Sequence, residues 1–293
     1  MLTTSLSRMS RLSQMSRMKI ALPASRQPAM WARPFVCLAG VVLASLLTAC
    51  AVPTEPKAEE PRTASDQTDA DRRASVRMEL AAAYFGRGQF NTALDEVKLA
   101  LSLKPDLREA VNLRGLIYAA MGEPRLAEDS FKRALQLYPR DPDTLHNYGW
   151  LLCQQQRWAE ADVQFDLALA QTNYRAPSRT LMAKGVCEAR AGRMSEAERS
   201  LAKAFEYDPA SPAVAVNFAE VLYRNGQFVR AQFYIKRVNA QPEFSNSQSL
   251  WLALRIERRL GNTKTVDELS RTLRSKYPET PERLALDDGR FDE

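Results

Sequence analysis

The stretch Arg108–Asp141, REAVNLRGLIYAAMGEPRLAEDSFKRALQLYPRD, carries three markers whose spacing decides the fold. Counting from Arg108, Gly122 stands at slot 15, Ala127 at slot 20 and Pro139 at slot 32. The same ruler fits again in both directions. Windows starting at Ala74, Pro142, Ser178, Pro212 and Ser247 place Gly88, Gln156, Gly192, Gly226 and Gly261 at slot 15. They place Ala93, Ala161, Ala197, Ala231 and Val266 at slot 20, and Pro105, Pro209 and Pro278 close three of them at slot 32. Chance does not keep three sparse markers in phase from residue 74 to residue 278. One structural unit is repeated six times.

Each unit reads as two amphipathic helices. Glycine at slot 15 ends the first, because a left-handed C-terminal residue costs glycine little. Small residues stand where helix meets helix: Ala81, Gly115, Gly149, Gly185 and Ala219 at slot 8, and Ala100, Ala134, Ala168 and Ala204 at slot 27. In the last unit Leu254 breaks the slot-8 rule. Larger side chains fill the gaps, such as Tyr84, Tyr118, Leu152 and Leu222 at slot 11, with Phe131 and Phe165 at slot 24. Glu188 and Glu257 also occupy slot 11, which predicts either a wetter edge or irregular packing in repeats four and six. A 34-residue period with this punctuation is the signature of tetratricopeptide repeats. No alternating strand pattern interrupts it, so the expected class is all-α. The expected architecture is a right-handed superhelix (solenoid) of six helix-turn-helix repeats over 74–281, with a decayed sixth repeat as cap and 282–293 as a tail.

The front end has a different character. Residues 1–49 hold Arg8, Arg11, Arg17, Lys19, Arg26 and Arg33 and no acid, followed by an apolar run from Phe35 to Leu47. That run suits the core of a signal peptide and is short for a membrane span. It ends in Leu47-Thr48-Ala49-Cys50, which resembles the bacterial lipoprotein box, whose cysteine becomes the lipid-bearing N-terminus after cleavage. Met30 offers a second possible start, since Met30-Trp31-Ala32-Arg33 already forms a compact basic region. The alternative is an ordinary cleaved signal with a chance cysteine. Ala51 in place of Asp favours, by resemblance to enterobacterial sorting rules, the outer membrane with the protein on its periplasmic face. Residues 51–73 are rich in Pro, Glu, Asp, Thr and Ala and contain no aromatic, so with Cys50 they read as a lipidated tether with a span on the order of 25 Å.

The leader also explains the basic precursor. The chain has 41 basic and 35 acidic residues. Removing the six bases of residues 1–49 leaves the two signs balanced, so no nucleic-acid partner is inferred.

Of four cysteines, Cys37 falls in the leader and Cys50 at the lipid site. Cys153 and Cys187 remain, at slots 12 and 10 of the first helices of repeats three and four. Neighbouring first helices pack side by side, and a periplasmic compartment favours disulfides, so a bond is the preferred reading. Two buried, unbonded thiols are the alternative.

Residues for chemistry are scarce. His146, the one histidine, has no accompanying ligand set for a metal and reads as a polar residue facing a groove. No phosphate loop, nucleophile elbow or zinc-protease helix occurs, so an enzyme is not expected, and neither is a cofactor. In this repeat type, slots 2, 5, 9, 12 and 13 of the first helix line a concave face. Met78, Phe85, Leu116 and Trp150 make its first half apolar, whereas Met182, Tyr223, Trp251 and Arg255, with Arg190, Arg224, Arg258 and Arg259, make the second aromatic and arginine-rich. Met, aromatics and Arg are the residue types that anchor partner segments. Nothing resembles an unsatisfied oligomerisation seam, and a monomer is expected.

Two local stretches add a family likeness. They are His146-Asn147-Tyr148-Gly149-Trp150-Leu151-Leu152-Cys153-Gln154 and Ser249-Leu250-Trp251-Leu252-Ala253-Leu254-Arg255-Ile256-Glu257-Arg258. With six repeats behind a lipid-anchor signal, they make residues 50–282 resemble the outer-membrane lipoproteins of type IV pilus biogenesis and stability, the secretin pilotins. The resemblance implies a non-enzymatic escort that binds secretin subunits, brings them to the outer membrane and promotes their assembly into a ring. Its main contact is expected at Met78, Phe85, Leu116 and Trp150. The alternative is a repeat-containing lipoprotein adaptor in outer-membrane barrel assembly or peptidoglycan synthesis.

Overall fold

Each slot-15 residue does in the structure what its position predicts. The computed structural model describes residues 68–291. The leader, Cys50 and the tether up to Gln67 lie outside the described residues. At all six hairpins the slot-15 residue has positive φ, between 61° and 80°. The slot-16 N–H donates back to the slot-11 carbonyl, as from Glu123 to Tyr118 (2.9 Å) and Arg193 to Glu188 (2.8 Å). This closure satisfies a carbonyl orphaned by the end of the helix and turns the chain back on itself. At Gln156 (φ 61°) a side-chain-bearing residue holds the same conformation, at a cost of about 1 kcal/mol relative to glycine.

Thirteen helices result among the described residues. They are α1 (Asp69–Gly86), α2 (Phe90–Leu103), α3 (Arg108–Ala120), α4 (Pro124–Leu137), α5 (Pro142–Gln154), α6 (Trp158–Leu169) and α7 (Pro177–Arg190). Then follow α8 (Met194–Tyr207), α9 (Pro212–Arg224), α10 (Phe228–Asn239), α11 (Ser247–Arg259), α12 (Thr263–Lys276) and α13 (Pro281–Asp287). Proline opens α4, α5, α7, α9 and α13, where its missing N–H would have had no helical partner. The first twelve helices pair into six antiparallel hairpins, each packed on the next. The backbones of successive first helices also approach one another closely, whereas among the described residues those of successive second helices do not and meet through side chains, as Phe205 and Tyr234 do with ring centroids 4.9 Å apart. The first helices therefore lie at the inner radius of the stack.

Within each hairpin, slot 8 of the first helix faces slot 24 of the second. A methyl group added at Gly115 would sit 2.5 Å from the Phe131 ring, at Gly149 2.8 Å from Phe165, and at Gly185 2.7 Å from Leu201. All three partners are fully buried. The register continues with Ala81 and Val97, Ala219 and Ile235, and ends with Leu254 and Ser270. Leu254, which breaks the small-residue rule, is thus matched by a small residue on the other side.

Three expectations need correction. Glu188 and Glu257 are buried, so neither marks a wet edge. Glu257 accepts hydrogen bonds from Gln232 (2.8 Å) and Asn262 (2.5 Å) and pairs with Lys236 at 3.3 Å. Glu188 has one carboxylate oxygen with no hydrogen-bond partner, and burial pushes its pKa up. Second, α1 begins at Asp69, inside the stretch expected as tether, because Thr68 and Asp71 form a reciprocal capping box. Third, the expected tail contains α13. Thr280 caps it, and its Leu286 is buried with Leu250, Leu254 and Leu273 of the last repeat. A seven-residue helix has too little periodicity to read from sequence and is stabilised by that packing.

Candidate partner-binding groove

The inner face is built by the first helices, and several of their slots 2, 5, 9, 12 and 13 stay partly exposed on it. At the N-terminal end, Met78, Phe85 and Leu116 are half-buried and pack against one cluster, with the Phe85 and Phe90 rings 5.7 Å apart. Leu116 also touches the next cluster, which includes Trp150. The four residues thus form a partly exposed apolar strip along α1, α3 and α5. Trp150 lies under the Arg190 guanidinium at 5.1 Å, and Met182 is half-buried between two clusters near the middle of the stack.

The polar residues of the middle repeats tie neighbours together. Asn147 donates to Asn112 (3.1 Å), and Arg179 pairs with Asp143 (2.8 Å). His146 does not face the groove as the sequence suggested: it is buried beside Phe165 and shares a 2.9 Å hydrogen bond with the hydroxyl of Thr180, itself bonded to Tyr174. Burial, with the positive charge of Arg179 adding to it, lowers its pKa to about 3. It is a neutral packing residue that joins repeats three and four. Cys153 and Cys187 join the same two repeats by a disulfide, with Cα atoms 5.8 Å apart. Although Cys153 occupies a groove slot, it is buried.

At the C-terminal end the arrangement is aromatic and cationic. Arg255 lies 4.6 Å over the Tyr223 ring, which is itself buried, and Arg259 lies 4.7 Å over Phe228. These residues with Arg224 and Glu220 line a cavity of about 780 Å³. Trp251 is not open: Phe291 stacks on it with ring centroids 5.4 Å apart, and Arg255 Nε donates to the Phe291 carbonyl (2.9 Å). Sequence reasoning missed both Phe228 and Phe291. The one signal for the latter is an aromatic after Gly289 in an otherwise charged tail.

The groove offers contact surface and no assembled reactive centre. Among the described residues no group of three His, Cys, Asp or Glu side chains is placed to hold a metal, and no helix is long and apolar enough to cross a membrane.

Comparison with known proteins agrees with this architecture. Tetratricopeptide-repeat family models match residues 109–141, 130–163 and 188–251. The type IV pilus assembly protein PilF of Pseudomonas aeruginosa is 26% identical over 201 residues, covering 69% of this chain and 79% of that protein. The crystal structure of PilW, a widely conserved type IV pilus biogenesis factor, matches with a TM-score of 0.68 at 28% identity, over 73% of this chain and 97% of PilW. The structure of Pseudomonas aeruginosa PilF matches with a TM-score of 0.67 at 25% identity, over 76% of this chain and all of that one (100%). The chain is homologous to these pilus biogenesis proteins and carries tetratricopeptide repeats.

Proposed function

We propose that this homologue of PilF and PilW acts in type IV pilus biogenesis as a non-enzymatic pilotin. It is anchored in the outer membrane through lipid on Cys50, with its repeats in the periplasm, and it binds secretin subunits as a monomer along the inner face of its stack. The similarity to PilF and PilW over about three quarters of the chain carries the reading. The Leu47-Thr48-Ala49-Cys50 box supports the anchor. A lipid chain supplies membrane affinity at about 0.8 kcal/mol per buried methylene, leaving the repeats free to hold a partner. The strip of Met78, Phe85, Leu116 and Trp150 is where an apolar subunit segment would be shielded before ring assembly.

The test is deletion of the gene, followed by electrophoresis of unboiled outer-membrane fractions probed for secretin multimers. Loss of multimers, rescued by wild type and not by Cys50→Ala, is the expected result. Met78→Gln with Phe85→Gln should lower multimer yield while an unchanged thermal transition shows the fold intact. Normal multimers in the deletion strain would overturn the pilotin reading and favour an adaptor in barrel assembly or peptidoglycan synthesis.

A further inference from the structure

The geometry points to a second binding region on the inner face: the cleft between repeats five and six takes an acidic peptide segment that carries an aromatic residue. This assignment concerns the chemistry of the bound segment and does not depend on the partner being a secretin subunit.

The first observation is the state of the arginines. Arg224 and Arg259 line the cleft and are exposed, and neither has an acidic partner among the described residues. Other arginines of the stack do pair with acids, as Arg157 does with Glu128 (2.7 Å) and Arg230 with Glu198 (2.5 Å). Arg255, also in the cleft, uses Nε for the Phe291 carbonyl and keeps its terminal nitrogens available. Glu220 is the one acid in the lining, against three arginines. The cleft therefore holds positive charge that the fold leaves unneutralised.

The second observation is how two of these guanidinium groups are held. The guanidinium carbons of Arg255 and Arg259 stand 4.6 and 4.7 Å from the ring centroids of Tyr223 and Phe228. The rings hold each guanidinium by cation-π attraction and leave it N–H groups for a carboxylate, which a guanidinium can receive through two parallel hydrogen bonds. Because the aromatic bases already restrict the side chains, less entropy is lost when a carboxylate arrives.

The third observation identifies the ligand as a peptide. The chain's own C-terminal segment already lies on the adjoining part of the same face. Phe291 stacks on Trp251, takes the Arg258 guanidinium on its ring at 3.9 Å and gives its carbonyl to Arg255. The arginines and Trp251 of this surface thus already hold one aromatic ring and one main-chain carbonyl. Arg255 belongs to both places, so a segment in the cleft continues the line that Phe291 begins.

The experiment uses the full chain in detergent and fluorescence anisotropy with three short fluorescein-labelled peptides. In the first, one phenylalanine is flanked by glutamates. In the second, lysines replace the glutamates, and in the third, alanine replaces the phenylalanine. Saturable binding of the first is expected, with no binding of the second and weaker binding of the third. Arg224→Glu and Arg259→Glu, both at exposed positions, should each weaken the first peptide by at least about tenfold. Arg259→Lys, which keeps the charge and loses the fork, should fall between wild type and Arg259→Glu. Equal binding of the acidic and lysine peptides, or affinity unchanged by both charge reversals, would overturn the proposal. So would binding confined to phosphatidylglycerol vesicles with no peptide bound, since that would assign the arginines to a lipid surface.

Discussion

Gln156 shows what one backbone angle contributes. It occupies the slot where the other five repeats use glycine, and it adopts the same left-handed conformation, with φ 61°. Nothing else about the turn changes: Arg157 still donates to the Leu152 carbonyl at 2.9 Å. The strain is therefore local, and relieving it should stabilise the protein without altering the fold. Gln156→Gly is expected to raise unfolding free energy by about 0.5–1 kcal/mol, somewhat less than the left-handed penalty because glycine also gains entropy in the unfolded chain. A urea titration checks this, and a lowered midpoint would show that the Gln156 side chain contributes more than its backbone costs. His146 teaches a complementary lesson. Its type suggested a groove residue, yet its hydrogen bond to Thr180 and contact with Phe165 come from a repeat and a helix that no local pattern connects to it.

For a pair of helices, the controlling quantity is volume shared between slots 8 and 24. Gly149 is the clearest case, with Phe165 ring atoms 2.8 and 2.9 Å from where a methyl group would sit and the Ala161 carbonyl oxygen at 3.3 Å. Two effects oppose each other in Gly149→Ala. Helix propensity favours alanine by about 1 kcal/mol, whereas overpacking a buried contact costs about 1–3 kcal/mol. The Phe165 ring is fully buried and has little room to retreat, so a net loss of stability is expected. Adding Phe165→Ile should recover part of it, since Ala219 with Ile235 is the combination repeat five already uses. Independent, additive losses in the double variant would show that the two slots are not coupled. The same bookkeeping makes Leu254 with Ser270 legible after the fact: the sum was kept while the rule at each position was broken.

Across the whole molecule, stability is a chain of interfaces between neighbouring repeats. The Cys153–Cys187 bond crosses one of these directly, tying α5 to α7 with a sequence separation of 34. In the chain-entropy treatment, closing such a loop contributes about 3–4 kcal/mol, chiefly by restricting the unfolded chain. Cys153→Ala with Cys187→Ala should therefore lower unfolding stability by an amount of that order, and reduction of the wild type should produce a comparable drop. Identical denaturant midpoints for oxidised and reduced protein would refute the role. The two ends of the stack also differ. α13 and Phe291 cover the last repeat, whereas Val76, Leu80 and Leu99 stay exposed on the first, beside Arg72, Arg73 and Arg77.

Periodicity determined the architecture from sequence alone. Slot 15 fixes where each first helix must turn, and slots 8 and 24 fix which faces meet, because both act through local backbone conformation and side-chain volume repeated every 34 or so residues. The residue types of the groove were legible for the same reason: Met78, Phe85, Leu116, Trp150, Met182, Tyr223, Trp251 and Arg255 are read by slot number. Which of them remain available was decided only by tertiary structure. Tyr223 is covered by Arg255, and Trp251 by a phenylalanine 40 residues further along the chain. The buried carboxylate of Glu257 depends likewise on Gln232 and Lys236 of the preceding repeat. A repeat rule encodes contacts at a fixed separation, and these contacts come from side chains outside the repeat or at separations it does not specify.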